Sequence, residues 1–142
     1  MTEHKPLSHT ITLKVRFSEV DAIRTVWHGN YVTYLEDARE AFGNRYGLSY
    51  AHIFESGYYA PMYDMQLHYR TVAMMGDTLS VKITYVPARG GKIVFNYEIW
   101  READNALILT ASTTQLFTTH AGELVPSCPP FYEEWKERHG LK

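Results

Sequence analysis

Residues 16–39 read RFSEVDAIRTVWHGNYVTYLEDAR, and the period of the apolar residues changes inside that stretch. Just upstream, Ile11, Leu13, Val15 and Phe17 alternate with Thr12, Lys14 and Arg16. That is period two, and it predicts a strand over residues 10–17 with one buried face. Between residues 18 and 29 the alternation stops. The segment is not rich in Gly or Ser and it holds Val26 and Trp27, which predicts a packed, ordered loop. From Tyr31 the spacing becomes helical: Tyr31, Tyr34, Leu35, Ala38, Ala41, Phe42 and Tyr46 share a face. Asn30 is the expected N-cap and Gly47 the expected stop of a helix of about four turns.

Downstream of a Gly- and Tyr-rich connection, period two returns. Met65, Leu67 and Tyr69 alternate with Gln66, His68 and Arg70; then come Leu79, Val81, Ile83 and Tyr85, and then Ile93, Phe95, Tyr97 and Ile99. A last strand is expected over residues 107–118. Gly76-Asp77, Gly90-Gly91 and Asp104-Asn105 punctuate the runs. Short connections favour antiparallel neighbours. Pro126, Pro129 and Pro130 then break the pattern, and Phe131, Tyr132 and Trp135 suggest a short closing helix started by proline. One long helix against an antiparallel sheet is an α+β arrangement, here read as a single domain over residues 1–142.

The bulk numbers exclude several classes. Lys plus Arg is 14 and Asp plus Glu is 16, so the basic excess of a general nucleic-acid binder is missing. Cys128 is the only cysteine, which rules out an intrachain disulfide. No opening stretch has the makeup of a secretory signal, and no segment reaches the ~20 apolar residues of a membrane span. A soluble, cytoplasmic protein with no membrane partner is the expectation. Eleven Tyr, six Phe and three Trp suit both a sheet covered on its faces and oligomer interfaces.

Chemistry concentrates in the loop before the helix. Asp21 lies within it, and His28, Gly29 and Asn30 lie at the helix entrance. A helix N-terminus offers unpaired N–H groups and a positive dipole end. A carboxylate beside such donors can attack a carbonyl, or activate water against it, while the donors hold the carbonyl oxygen. The plainer reading is an Asp that caps a turn and a His that packs.

The segment resembles the signature of the 4-hydroxybenzoyl-CoA thioesterase family, including its YbgC-like acyl-CoA thioesterases. Phe17, Asp21, Val26, Trp27, His28, Asn30, Tyr31, Glu36, Ala38 and Arg39 match without a gap. Tyr69, Arg70, Gly76 and Asp77 resemble the family's second-strand exit, so the resemblance runs over residues 10–118. It implies a hotdog fold, about five antiparallel strands wrapped around one long central helix. It also implies dimers joined edge to edge, often paired into homotetramers, with active sites at the dimer interface.

The implied reaction is hydrolysis of an acyl thioester to a carboxylic acid and CoA. No metal or separate cofactor is implied, because CoA arrives with the substrate; acyl carrier protein is the alternative thiol carrier. Asp21 takes the place of the catalytic carboxylate, as nucleophile or as general base. The backbone N–H of His28 takes the place of the donor that polarises the thioester carbonyl, while its imidazole orients water or packs. Trp27 is expected to wall the acyl pocket or to join the core, and Gly29, Asn30 and Tyr31, the last packing at the helix start, to contact substrate. Arg70, Arg89 and Lys92 are candidates for the CoA phosphates.

Arg24 departs from the family pattern, which commonly has Gly three residues after the catalytic Asp. Its expected roles are to narrow the site, to pair with Glu19, or to reach a ligand carboxylate or phosphate. Glu36 is read as a partner of Arg39 or of a neighbouring strand rather than as a second catalytic carboxylate. Two other functions fit a hotdog chain: a dehydratase using His28 and Glu36, and a non-catalytic acyl-CoA-binding protein.

Overall fold

The alternation seen in the sequence forms β1 (Ser8–Lys14) in the computed structural model, which describes residues 6–141. Ile11 and Leu13 turn partly inward while Thr10, Thr12 and Lys14 face solvent. Phe17 departs from the expectation: it lies in a 3-10 turn, Phe17–Glu19, and is 82 % exposed. The cause is local. The Glu19 carboxylate accepts the Arg16 N–H (2.8 Å) and the Arg16 guanidinium (3.2 Å), which closes a turn where a longer strand would run on.

Helix α1 (Asn30–Tyr46) buries Tyr31, Tyr34, Leu35, Ala38 and Phe42, the face its spacing specifies. Gly47 ends it in the left-handed conformation (φ +74°). The N-cap is Gly29, not Asn30. Asn30 is the first helical residue and spends its side-chain amide on the Glu19 carbonyl (2.7 Å). A second helix that the sequence did not reveal, α2 (Tyr50–Glu55), follows at once, its first turn held by the Ser49 hydroxyl accepting the His52 N–H (3.2 Å).

Then come β2 (Tyr58–Tyr59), β3 (Met62–Tyr69), β4 (Thr78–Val86), β5 (Lys92–Arg101), β6 (Ala106–Leu116), β7 (Thr118–Thr119) and α3 (Pro130–Arg138). Pro130 opens α3 as expected. β2 and β7 pair as a small ribbon. The main sheet is antiparallel, in the order β1-β4-β5-β6-β3.

The turns at Gly90-Gly91 and Asp104-Asn105 make neighbours of β4, β5 and β6, as short connections should. β3 and β4 are the exception to that expectation. They follow each other in the chain, yet β1 takes the free side of β4 (Ile11↔Val81) and β3 lies on β6 at the far edge (Met65↔Thr113). The connection of residues 70–77 permits this: extended, eight residues reach roughly 26 Å, against about 14 Å for three strand spacings.

One face of the sheet packs on α1 through residues such as Val81, Ile83, Phe95 and Ile99, all fully buried. α3 caps the same core. Trp135 donates its indole N–H to the Tyr46 carbonyl (2.6 Å), and the Tyr85 and Tyr132 hydroxyls bond each other (2.6 Å). Arg39 is fully buried between α1 and the sheet. Its Nε donates to Gln115 Oε1 (2.8 Å), and its guanidinium lies between the Tyr50 and Phe95 rings, 5.0 Å from each centroid. Burial pushes its pKa down. Glu36 pairs with neither Arg39 nor a strand, contrary to the sequence reading; it accepts the Tyr50 hydroxyl (3.4 Å), which α2 brings to it. Among the described residues, no helix is long and apolar enough to cross a membrane.

Candidate functional site

The loop between β1 and α1 is built on a tight turn at residues 21–25. Asp21 N–H donates to the Thr25 carbonyl (2.9 Å) and Arg24 N–H to the Asp21 carbonyl (3.0 Å). The Asp21 carboxylate also serves the turn: Oδ1 accepts from Ile23 N–H (3.0 Å), Thr25 N–H (3.3 Å) and the Thr25 hydroxyl (3.2 Å). Oδ2 accepts only from that hydroxyl (3.1 Å), and the residue is exposed. The turn-capping and chemical readings of Asp21 are therefore compatible. Oδ1 takes three of the loop's hydrogen bonds and Oδ2 one, on an exposed residue with no cation paired to either oxygen among the described residues.

Arg24 adopts φ +66°, the left-handed region that glycine enters freely and an L side chain enters at a cost of about 1 kcal/mol. That conformation accounts for a Gly at this place in the resembling family. Arg24 does not pair with Glu19, as one sequence expectation had it; Arg16 and Tyr34 already occupy that carboxylate. The Arg24 carbonyl instead accepts Met75 N–H (3.0 Å), and Val26 N–H reaches the Ala73 carbonyl (2.8 Å). The connection between β3 and β4 thus straps the loop down.

Sequence reasoning names Glu19 only as a partner for Arg24 and misses its part in holding the loop to α1. Its carbonyl accepts Trp27 N–H (3.0 Å) and the Asn30 side chain, while its carboxylate accepts the Tyr34 hydroxyl (3.0 Å). It joins the loop to the first two turns of α1. Burial alone would raise its pKa, but the hydrogen bonds from Arg16 N–H, the Tyr34 hydroxyl and the Arg16 guanidinium outweigh burial and hold it below the ordinary 4.5. A depressed carboxylate contributes stability that is fully present above its unfolded pKa and is lost as pH falls through the folded value. The gap in urea midpoint between wild type and Glu19→Gln is therefore expected to be widest near about pH 7 and to close below the ordinary carboxylate range. A gap that stays constant down to acid pH would show that the charge of Glu19 contributes nothing.

At the helix entrance the Trp27 carbonyl accepts Asn30 N–H (2.8 Å), and the His28 carbonyl accepts the Tyr69 hydroxyl (3.1 Å). The N–H of His28 has no acceptor among the described residues. Trp27 and His28 are exposed, their ring centroids 4.7 Å apart. Gly29 makes room for the indole, since a Cβ there would fall inside the Trp27 ring. Tyr31 is buried and accepts Ala73 N–H through its hydroxyl (3.2 Å); burial pushes its phenol up.

A cleft of about 260 Å³ opens here, lined among others by Val26, His28, Tyr31, Tyr69 and Arg70. The structure thus gathers His28, Tyr31 and Arg70 around one cleft, with Trp27, Gly29 and Asn30 next to them in the chain. Asp21 stands on the same loop but does not line the cleft. Arg89 and Lys92 do not join it. They sit at the β4–β5 hairpin beside a separate hollow of about 210 Å³, at the opposite end of β4, whose nine residues span roughly 30 Å. A larger apolar hollow of about 500 Å³, lined by Tyr50, Tyr59, Ala60, Pro61, Thr118 and Gly122, lies away from the Asp21 loop. No group of three His, Cys, Asp or Glu residues fit to hold a metal ion occurs among the described residues.

A family model described as the thioesterase-like superfamily matches residues 15–136. A curated protein of Bacillus subtilis strain 168, "Putative acyl-CoA thioesterase YneP", is 28% identical over 101 residues, which are 71% of this chain and 73% of that one. The DHNA-CoA thioesterase of Staphylococcus aureus superposes with a TM-score of 0.82 at 24% identity, covering 94% of this chain and 89% of that one. A mutant 4-hydroxybenzoyl-CoA thioesterase complexed with 4-hydroxybenzoyl-CoA gives a TM-score of 0.78 at 21% identity, covering 90% and 97%. These two likenesses establish the fold, the α+β hotdog arrangement of a five-stranded antiparallel sheet around a central helix.

Proposed function

The chain belongs to the thioesterase-like superfamily, and from that premise we propose that it hydrolyses an acyl-CoA thioester to a free carboxylic acid and CoA. The observation that carries this reading is the pairing of chemistry on one loop. An exposed carboxylate, Asp21, precedes a helix entrance at which the His28 N–H has no acceptor among the described residues. The His28 N–H holds the thioester oxygen as it gains negative charge, an interaction typically worth ~3 kcal/mol in the transition state.

Two routes use the same carboxylate. As a nucleophile, Asp21 adds to the thioester carbonyl and expels the CoA thiolate, and water then hydrolyses the mixed anhydride. As a general base, it takes a proton from the water that attacks. Both need only substrate and water. Arg70, on the cleft wall with its guanidinium donating a long bond to the Thr110 hydroxyl (3.4 Å), meets the CoA phosphates.

The reading extends to assembly. β3 is an edge strand that presents unpaired backbone together with exposed Met62 and Tyr63, and a second copy of this chain covers it. Because Arg89 and Lys92 stand too far from the cleft of their own chain, they serve CoA only at the site of another copy.

Release of free thiol from short, medium, long-chain and aromatic acyl-CoAs, with acyl carrier protein thioesters alongside, tests the proposal. Turnover on one class supports it and names the substrate. Binding of acyl-CoA without release from any thioester would overturn it in favour of a non-catalytic binding role.

A further inference from the structure

We infer that Tyr69 is a positioning residue for this reaction, its phenol holding the His28 carbonyl and so fixing the direction of the His28 N–H. The inference rests on the reading that this N–H receives the thioester oxygen.

Two peptide planes meet at His28. The plane before it contains the Trp27 carbonyl and the His28 N–H. Asn30 N–H takes the carbonyl (2.8 Å), and because the peptide is planar and trans, the His28 N–H then points the opposite way. The plane after it contains the His28 carbonyl, and Tyr69 donates to that oxygen (3.1 Å). With one plane on each side tethered, the backbone torsions of His28 have little freedom left, and the angle at which its N–H leaves the loop is set.

The two tethers differ in kind. Asn30 belongs to the same helix entrance and moves with it. Tyr69 lies 41 residues away, at the end of β3, and ties the dipeptide to the sheet. Its own place is secured by the pairing of Tyr69 with Leu109 and by the edge-on contact of its ring with Tyr31 (centroids 5.6 Å apart, planes at 66°). Tyr31 in turn accepts Ala73 N–H from the strap over the loop. The hydroxyl, on a half-exposed ring at the edge of the sheet, thus ties a loop carbonyl to β3. Phenylalanine would keep every ring contact and lose only the bond.

Tyr69→Phe is therefore expected to lower kcat about tenfold, the size of effect that one oriented hydrogen bond commands, with KM changed less than about twofold and the melting midpoint lowered by no more than about 5 °C. The His28 and Gly29 amide resonances of the folded variant, read by 1H–15N NMR without substrate, are expected to shift. A variant that turns over like wild type, or one whose KM rises with kcat intact, would overturn the inference and leave Tyr69 a wall of the cleft. Unmoved His28 and Gly29 amides would overturn it too, independently of activity. A wild type that releases thiol from no thioester defeats the functional premise itself, and is told apart because wild type then fails before the variant is compared.

Discussion

Asp21→Ala is expected to lose at least ~100-fold in turnover on the best acyl-CoA substrate, the scale on which a positioned acid–base or nucleophilic group acts. Alanine removes two things at once. It deletes the reactive carboxylate, and it deletes the acceptor that Ile23 N–H, Thr25 N–H and the Thr25 hydroxyl share at Oδ1. Asp21→Asn separates them. The amide oxygen still accepts those bonds, so the turn and the left-handed Arg24 behind it persist, yet an amide neither attacks a thioester nor accepts a proton from water. Both variants should lose turnover alike, while only Asp21→Ala shifts the melting midpoint. If Asp21→Asn keeps activity within about tenfold of wild type, Asp21 is a turn residue and the reactive group lies elsewhere.

The largest effect on stability is expected at the other end of the molecule. Trp135 is fully buried, stacks on Tyr132 (5.8 Å between centroids), meets Tyr85 edge-on (5.1 Å) and donates to the Tyr46 carbonyl. Trp135→Ala should destabilise the fold by about 4 kcal/mol, through lost burial, the cavity left behind and a C-terminal carbonyl of α1 left without its donor. In a chain of this size that lowers the melting midpoint by roughly 10 °C or more. Trp135→Phe keeps most of the ring packing and should cost less than half as much. Well below the midpoint, turnover of Trp135→Ala should match wild type, because no residue of α3 lines the cleft. A full-strength melt for Trp135→Ala would mean that α3 docks without contributing to the fold.

The legible parts of this chain are those in which a pattern repeats. α1 showed its apolar face because the spacing recurs over 17 residues, and Gly47 showed its end because the left-handed position there favours glycine. α2 is only six residues long, too short to display a period, and its capping pair of Ser49 and His52 lacks the acidic residue that usually marks a helix start. The hairpins among β4, β5 and β6 were legible from their turn residues. The partner of β3 was not, because a choice between two strand edges is made by tertiary packing that no local window contains.

The site divides the same way. Asp21 and His28 stood out by their place before the helix, the resemblance gave them roles and marked Arg24 as unusual, and the φ of Arg24 agrees with the glycine that the resemblance led one to expect. The links made by Glu19 and Tyr69 escaped, though both residues were named, because each reaches a partner distant in sequence: Glu19 meets Tyr34 across the helix entrance, Tyr69 meets His28 from across the fold. Arg89 and Lys92 were chosen as cations alone, and charge carries no information about which end of a sheet a hairpin occupies.

The placement of β3 also dictates when the cleft can exist. β4, β5 and β6 join through short hairpins, whose closure takes little chain entropy. β3 must instead find β6 across some fifty residues, as Met62 lies opposite Gln115. By that measure the meander is expected to form early and the edge strands, β3 on β6 and β1 on β4, to dock later, with Tyr69 arriving only with β3. Until then β6 shows a bare edge open to other chains, and the His28 loop lacks its tether to the sheet. On the proposed reading, catalytic competence is therefore expected among the last properties this chain acquires as it folds.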